Sequence, residues 1–88
     1  MVARVKSRAE LQAIHSTGIG FIYNDTWCWI HKASCPSVDR MEVYTGPGED
    51  YHPPGAKYSD QNREALVAWF QSYWWPGHSP NYCKTCNP

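Results

Sequence analysis

The alternation of apolar and smaller or polar residues predicts a β-hairpin in the first half of the chain. Apolar side chains recur at every second position over residues 19–23, and Asn24-Asp25-Thr26 supplies residues typical of a turn. On the return strand, Trp29 and His31 share one face and Cys28 points to the other. We therefore expect His31 to lie near the end of the second strand, with its side chain on a defined face of the sheet.

A short helix is predicted before this hairpin. Ser7 followed three residues later by Glu10 matches a capping box, in which the two side chains satisfy the first backbone amides of a helix. Leu11 and Ile14 then follow at helical spacing, and Gly18 is a residue typical of a helix end. Residues 1–6 precede this cap, and we interpret them as a flexible tail.

A longer helix is predicted over residues 60–74, because its apolar residues recur with the period of an α-helix. Ser59 or Asp60 is the expected cap, and Pro76-Gly77 ends the helix. The predicted apolar stripe consists of Leu66, Phe70, Tyr73 and Trp74.

The segment between the hairpin and this helix is expected to be largely irregular. Pro36 can open a single helical turn, residues 41–44 resemble a third short strand, and residues 45–57 form a long loop rich in proline and glycine. The elements predict one small α+β domain over residues 1–88, with a three-stranded sheet, a short N-terminal helix and one main helix.

Length and composition sharpen this picture. A chain of 88 residues forms one domain with a small core, so a metal ion or disulfide bonds would add much to its stability. Aromatic residues make up 15% of the chain and can build a compact core from few side chains. The formal net charge is zero, so any contact with nucleic acid depends on a local patch of cations.

Four residues carry the clearest chemistry. Cys83 and Cys86 form a Cys-x-x-Cys knuckle, and His31 and Cys35 are separated by one turn of chain. Thiolate and imidazole are the ligands that Zn²⁺ prefers, and a Cys₃His set is common in structural sites. We predict that these four residues bind one zinc ion in a closed site that activates no water.

Two alternatives remain open at this stage. Cys28 could replace one of the proposed ligands, although strand alternation turns it away from His31. The four cysteines could also form two disulfide bonds. Because residues 1–6 contain no apolar signal segment and no stretch is long enough to span a bilayer, we expect a cytoplasmic protein with reduced thiols.

The segment from Gly18 to Cys35, closed by the terminal Cys83-Lys84-Thr85-Cys86-Asn87-Pro88, resembles the Ada-type zinc-binding domain. The resemblance covers about residues 19–44 and 60–88 and implies a small α/β zinc module attached to DNA repair or DNA processing. In that family, one zinc-bound thiolate accepts a methyl group from a DNA phosphotriester. The first ligand position here is His31, and an imidazole does not perform that transfer, so the resemblance favours an accessory zinc module.

Three functions follow in order of preference. The first is a zinc-stabilised module that contacts nucleic acid, with DNA favoured. A protein–protein adaptor that uses loop 45–57 with exposed Trp74 and Trp75 comes second, and a methyl-accepting or nuclease activity comes last. For the first function, the residues expected to contact phosphates or unpaired bases are Lys32, Arg40, Lys84 and Trp29.

Overall fold

The predicted hairpin forms the middle of the sheet in the computed structural model, which describes residues 2–25, 28–41, 43 and 56–88. Strands β2 (Phe21–Asn24) and β3 (Trp29–Lys32) pair antiparallel, with Ile22 opposite His31 and Tyr23 opposite Ile30. Opposite residues of an antiparallel pair share a face, so Ile22 and His31 lie on one side of the sheet and Tyr23 and Ile30 on the other.

The sheet has five strands in the order β1-β4-β2-β3-β5, and the small α+β class is confirmed. Strand β4 (Lys57–Asp60) pairs antiparallel with β2, and β1 (Ala3–Arg4) pairs antiparallel with β4. On the opposite edge, β5 (Asn81–Tyr82) runs parallel to β3. The sequence analysis missed β1 and β5 because two residues carry too little alternation to be recognised. It missed β4 because it assigned Lys57 to the loop and Ser59 or Asp60 to the cap of the main helix.

Residues 3–5, which we assigned to a flexible tail, belong instead to the folded domain. Ala3 and Arg4 form β1, and the amide of Val5 donates to the carbonyl of Lys57 at 2.9 Å. Val5 is fully buried. The edge of β4 supplies backbone hydrogen-bond partners, and the burial of Val5 adds the apolar contact that holds the segment in place.

The predicted loop and third strand are partly corrected. Ala56 and Lys57 are buried, and Lys57 begins β4, so these two residues do not belong to a loop. Residues 45–55 of that loop lie outside the described part of the chain. Of the strand predicted at residues 41–44, only Met41 and Val43 are described, and both pack against a core cluster without entering the sheet.

Helix α1 (Arg8–Thr17) begins and ends where predicted. The Ser7 hydroxyl accepts a hydrogen bond from the amide of Glu10 at 3.1 Å. Gly18 follows the helix with a left-handed backbone, φ 65°, and its amide bonds to the carbonyls of Ile14 and His15.

The main helix starts later than predicted and changes type along its length. Helix α2 (Arg63–Trp69) is capped by the Asn62 side chain, since the expected caps Ser59 and Asp60 belong to β4. A π-helical turn (Phe70–Trp74) continues it and closes with the amide of Trp75 on the carbonyl of Phe70 at 2.8 Å.

This π-helical turn changes which aromatic side chains are buried. Each residue of such a turn advances through a smaller angle than in an α-helix, because the hydrogen bond spans five residues. Trp74 therefore returns to the buried face, whereas Tyr73, which we placed on the apolar stripe, is 74% exposed. Trp74 is consequently not the exposed anchor that the adaptor hypothesis assumed.

The sheet separates two clusters of apolar residues. On one side, α2 and the π-helical turn cover the aromatic cluster, whose members are Tyr23, Tyr58, Trp69, Phe70 and Trp74. On the other side, α1 and the segment after β3 cover a second cluster, which contains Ile22, Val38, Cys35 and Cys83. His31 shares the face of this second cluster, so the His/Cys chemistry lies on the side opposite α2.

Candidate metal centre

His31 is placed by strand β3. It pairs with Ile22 in the middle strand, is only 8% exposed and faces the cluster that contains Cys35 and Cys83. Its Nδ1 atom is buried and has no hydrogen-bond partner among the described residues. A buried imidazole nitrogen without a hydrogen-bond partner is costly, and a metal ion is one group that would satisfy it.

Cys35 is brought beside His31 by the tight turn that follows β3. The amide of Ala33 donates to the carbonyl of Gly20 at 2.9 Å, and the amide of Cys35 donates to the carbonyl of Lys32 at 3.0 Å. The predicted helical turn at Pro36 is confirmed as a 3₁₀ helix (Pro36–Arg40) that starts directly after Cys35. These bonds reverse the chain and leave the buried Cys35 thiol under the strand.

The C-terminal knuckle reaches the same place by strand pairing. The amide of Asn81 donates to the carbonyl of Cys28 at 2.8 Å, and the amide of Cys83 donates to the carbonyl of Ile30 at 2.9 Å. The knuckle then turns back, with the amide of Asn87 on the carbonyl of Cys83 at 3.0 Å. Strand β5 therefore delivers Cys83 to the end of β3 that carries His31.

The predicted ligand set comes together in space. One side-chain donor atom from each of His31, Cys35, Cys83 and Cys86 lies within 4.8 Å of all the others. The Sγ atoms of Cys35 and Cys83 are 4.0 Å apart. In a tetrahedral zinc site with zinc–sulfur bonds of about 2.3 Å, two sulfur ligands lie about 3.8 Å apart, so the observed distance is close to that value. The four residues fit a metal ion at a closed, four-ligand site.

The backbone around the cluster supports thiolates. The amide of Lys32 donates to the Sγ of Cys86 at 3.2 Å. Burial by itself raises the pKa of the Cys83 thiol, but hydrogen bonds from the backbone amides of Cys86 and Thr85 and from the neighbouring thiols lower it overall. Amides directed at sulfur stabilise a negative charge there, as metal-binding thiolates require.

The pKa values of Cys86 and His31 show which charge states the cluster has without a cation. Burial above all raises the pKa of Cys86 to about 11, with further increases from Cys35 and Cys83. Burial lowers the pKa of His31, which favours the neutral imidazole that coordinates metals. Three thiols this close cannot all ionise without a positive charge among them, and a divalent cation would supply it.

Cys28 and the other described histidines stay outside the cluster, as predicted. Cys28 packs against the aromatic cluster on the opposite side of the sheet, and its backbone is left-handed with φ 57°. The Nδ1 of His15 lies 2.8 Å from the carbonyl of Ala33, and the His78 ring stacks on Trp75 with centroids 4.2 Å apart. His52 lies outside the described residues. All four cysteines of the chain carry free thiols.

The residues predicted to contact nucleic acid are close in sequence to the four candidate ligands. Lys32, Arg40 and Lys84 are exposed, and each belongs to a segment that carries a ligand. Trp29 is half-buried on the face of His31. Trp29 and Lys84 line the same open cavity of about 390 Å³, which we call the metal-side cleft.

Sequence reasoning missed one residue that supports the centre. The guanidinium of Arg8, at the start of α1, donates to the carbonyls of Met41 and Asp39 at 2.9 and 3.0 Å. These bonds tie α1 to the end of the 3₁₀ helix that starts directly after Cys35. Because Arg8 is one of several cations near the N-terminus, nothing in the sequence distinguished it.

Comparisons with protein-family models, with curated proteins and with solved structures find no match to this chain. In the described part of the chain, each helix is too short or too polar to span a bilayer. The His/Cys cluster, which could hold a metal ion, is therefore the feature that points most directly to a function.

Proposed function

We propose that His31, Cys35, Cys83 and Cys86 bind one structural Zn²⁺. The observation that carries this proposal is the convergence of the four donor atoms within 4.8 Å, from three separate segments of chain. Three sulfurs and one imidazole nitrogen favour zinc over the harder cations, which prefer oxygen ligands. Four protein ligands leave no open position for a substrate, so the ion's role is to hold the segments together. A reduced, cytoplasmic setting follows from this use of thiols.

We further propose that the surface around the zinc contacts nucleic acid, with DNA favoured. Each ligand-bearing segment presents an exposed cation: Lys32 follows His31, Arg40 ends the 3₁₀ helix that starts after Cys35, and Lys84 lies inside the knuckle. The described acidic residue closest to them in sequence is Asp39, which is also exposed. Exposed cations on the segments of one centre can contact the phosphates of a nucleic-acid backbone, even in a chain of zero net charge.

A second role for these cations has to be separated from the first. Three thiolates and one neutral imidazole around Zn²⁺ leave a net charge of about −1, which nearby lysines also stabilise. If that were their only role, the unaltered protein would not bind DNA. Replacing these lysines and the arginine with neutral residues would then only weaken zinc binding. The resemblance of the ligand spacing to Ada-type domains supports the nucleic-acid role, and we propose an Ada-like accessory module.

The test is the salt dependence of binding to a short labelled DNA duplex, with the zinc-loaded chain. Each phosphate contact contributes about 0.9 to the slope of log affinity against log salt. We expect Lys84→Gln to reduce the slope by about that amount. Arg4→Gln also removes one positive charge, but next to Tyr58 of the aromatic cluster and away from the metal centre. It serves as the matched control. Absent binding to both this duplex and a single strand of the same length, or binding that does not change with salt, would reject the proposal.

The adaptor hypothesis keeps one specific observation in its favour. Tyr73 and Trp75 are exposed on the aromatic side of the sheet, at 74% and 48%. Exposed aromatic side chains are frequent anchors of protein interfaces. A partner whose binding is abolished by Tyr73→Ala with Trp75→Ala, and unaffected by Lys84→Gln, would favour this function over nucleic-acid binding.

A further inference from the structure

The metal-side cleft borders the candidate metal centre. Its volume is about 390 Å³, near the lower end of the range of small-ligand pockets. Two of its walls are ligands of the cluster, His31 and Cys83. The remaining described lining residues are Asn24, Trp29, Met41, Lys84 and Thr85.

The lining has one flat wall whose position is held by the sheet. Trp29 pairs with Asn24 on one side and with Asn81 on the other, so backbone ladders on both edges hold it. Asn24 lies opposite Trp29 and shares its face, which places an amide beside the indole. The indole is half-buried, which leaves part of it open to a ligand.

A second part of the lining is polar and positively charged. Lys84 and Thr85 belong to the knuckle and are both exposed. Among the described lining residues Lys84 is the cation and none is a carboxylate, so a negatively charged group of a ligand would lie at Lys84, away from the thiolates of the metal centre. Its complement is therefore a ligand with a flat apolar face, hydrogen-bonding edges and a negative charge at one end.

We propose that the metal-side cleft holds one unpaired base of a nucleic acid strand, stacked on Trp29 with the adjoining phosphate at Lys84. The proposal rests on the nucleic-acid function proposed above and names the feature that this surface recognises, an unpaired base. Bases in a duplex are stacked on their neighbours and cannot enter a cavity, so a single strand is the preferred partner. Stacking on an aromatic ring tolerates any base, and the cleft therefore selects unpaired structure without selecting sequence.

The experiment compares three fluorescein-labelled probes with the zinc-loaded full chain: a ten-residue thymidine strand, a duplex of equal length and a strand of abasic sites. The abasic strand keeps the phosphates and removes the bases. We expect the thymidine strand to bind roughly tenfold tighter than the abasic strand, which is the worth of one stacked base. This comparison uses the unaltered protein, so it does not depend on how a variant folds.

Three variants then locate the stacking. Trp29→Leu keeps an apolar side chain but removes the ring, and we expect a roughly tenfold loss for the thymidine strand with no loss for the abasic strand. Trp29→Phe restores a ring and most of the affinity. Trp75→Leu removes an exposed indole that contacts Phe70 on the other side of the sheet, and it should leave all three affinities unchanged.

The outcomes separate the two proposals. Equal, salt-dependent binding of the duplex, the thymidine strand and the abasic strand would overturn the base-stacking proposal and keep the nucleic-acid module. A tenfold preference for the thymidine strand that Trp75→Leu removes and Trp29→Leu does not would also overturn it, because the base would then stack elsewhere. No binding of any probe would reject both.

Discussion

The thiols of Cys35 and Cys83 lie 4.0 Å apart, although 48 positions separate them in the chain. The parallel pairing of β5 with β3 closes this distance, since the amide of Cys83 bonds to the carbonyl of Ile30. The candidate metal centre therefore joins the middle of the chain to its final residues. A metal bound there would stabilise long-range contacts that an 88-residue chain can secure only with difficulty.

Metal content is the first prediction. We expect one zinc ion per chain after purification without chelator, and we expect Cys35→Ser and Cys83→Ser to lose it, because each removes one of four ligands. The binding free energy of a structural zinc ion is about 10–16 kcal/mol and is coupled to folding, so these variants should also melt at lower temperature. Elemental analysis and the absorption spectrum of the cobalt-substituted protein measure both the stoichiometry and the thiolate ligation.

Cys28→Ser is the matched control for that experiment. Its thiol lies among the aromatic cluster on the other side of the sheet, so the variant should retain the full zinc content. Zinc that survives Cys83→Ser and disappears with Cys28→Ser would contradict the proposed ligand set.

Position 20 is predicted to require glycine, because its backbone has a positive φ and it lies close to the backbone of Asp60. Its φ is 94°, and a Cβ atom there would lie 2.8 Å from the carbonyl oxygen of Asp60 in β4. We expect Gly20→Ala to lower the free energy of unfolding by about 1–2 kcal/mol from the left-handed backbone and by about 1–3 kcal/mol more from the steric overlap. Urea unfolding measures the sum.

Gly77→Ala measures the backbone contribution without the steric overlap. Gly77 has a similar φ of 83°, but among the described residues nothing lies within 4 Å of the position of its Cβ. The alanine variant should therefore lose only the backbone contribution. Equal losses at positions 20 and 77 would show that the contact with Asp60 has no energetic effect.

Asp25 is predicted to anchor the aromatic cluster. Its Oδ1 accepts hydrogen bonds from the Tyr23 hydroxyl at 2.9 Å and from the Trp74 indole nitrogen at 2.8 Å. Because Asp25→Ala removes an acceptor shared by two part-buried donors, we expect it to cost about 2–4 kcal/mol of stability. Tyr23→Phe removes only one of these bonds and should cost less. Zinc content should be unchanged in both variants, since the cluster lies on the side of the sheet away from His31.

Alkaline pH is predicted to destabilise the fold through Tyr23. Burial, together with hydrogen bonds to Cys28 and Asp25, raises the pKa of Tyr23 well above its ordinary value of 10.0. A group whose pKa is higher in the folded chain than in the unfolded chain stabilises the fold at pH values below the unfolded pKa, and this contribution is lost as the pH rises above it. Urea midpoints measured from pH 8 upward should therefore fall above about pH 10.

Tyr23→Phe provides the control for this dependence. The variant has no hydroxyl to ionise, so its stability should change less with pH over the same range, although its stability at neutral pH is lower. An unchanged alkaline loss in Tyr23→Phe would assign the effect to other groups, of which Tyr58 is the first candidate, because burial also raises its pKa.

Several features were predictable because they depend on neighbours in sequence. The Ser7 cap, the end of α1 at Gly18 and the helical turn at Pro36 follow from local backbone chemistry, and all three are present. The His/Cys cluster was also predictable, because candidate metal ligands are recognised by residue type and short spacing. Cys28 lies on the side of the sheet away from His31, as predicted, but it precedes β3 and its backbone is left-handed, so strand alternation is not the reason for its position.

The sequence by itself determined the local elements and the four donors of the candidate metal centre. Only the tertiary structure decided the rest: that Ala3 and Arg4 join the sheet, that β5 brings Cys83 beside His31, and that a π-helical turn leaves Trp74 partly buried and Tyr73 exposed. Each of these outcomes depends on hydrogen bonds or packing between residues far apart in the chain, and a two-residue strand has almost no preference of its own. The local pattern was sufficient where backbone geometry is set within a few residues, and it failed where a distant partner supplies the energy.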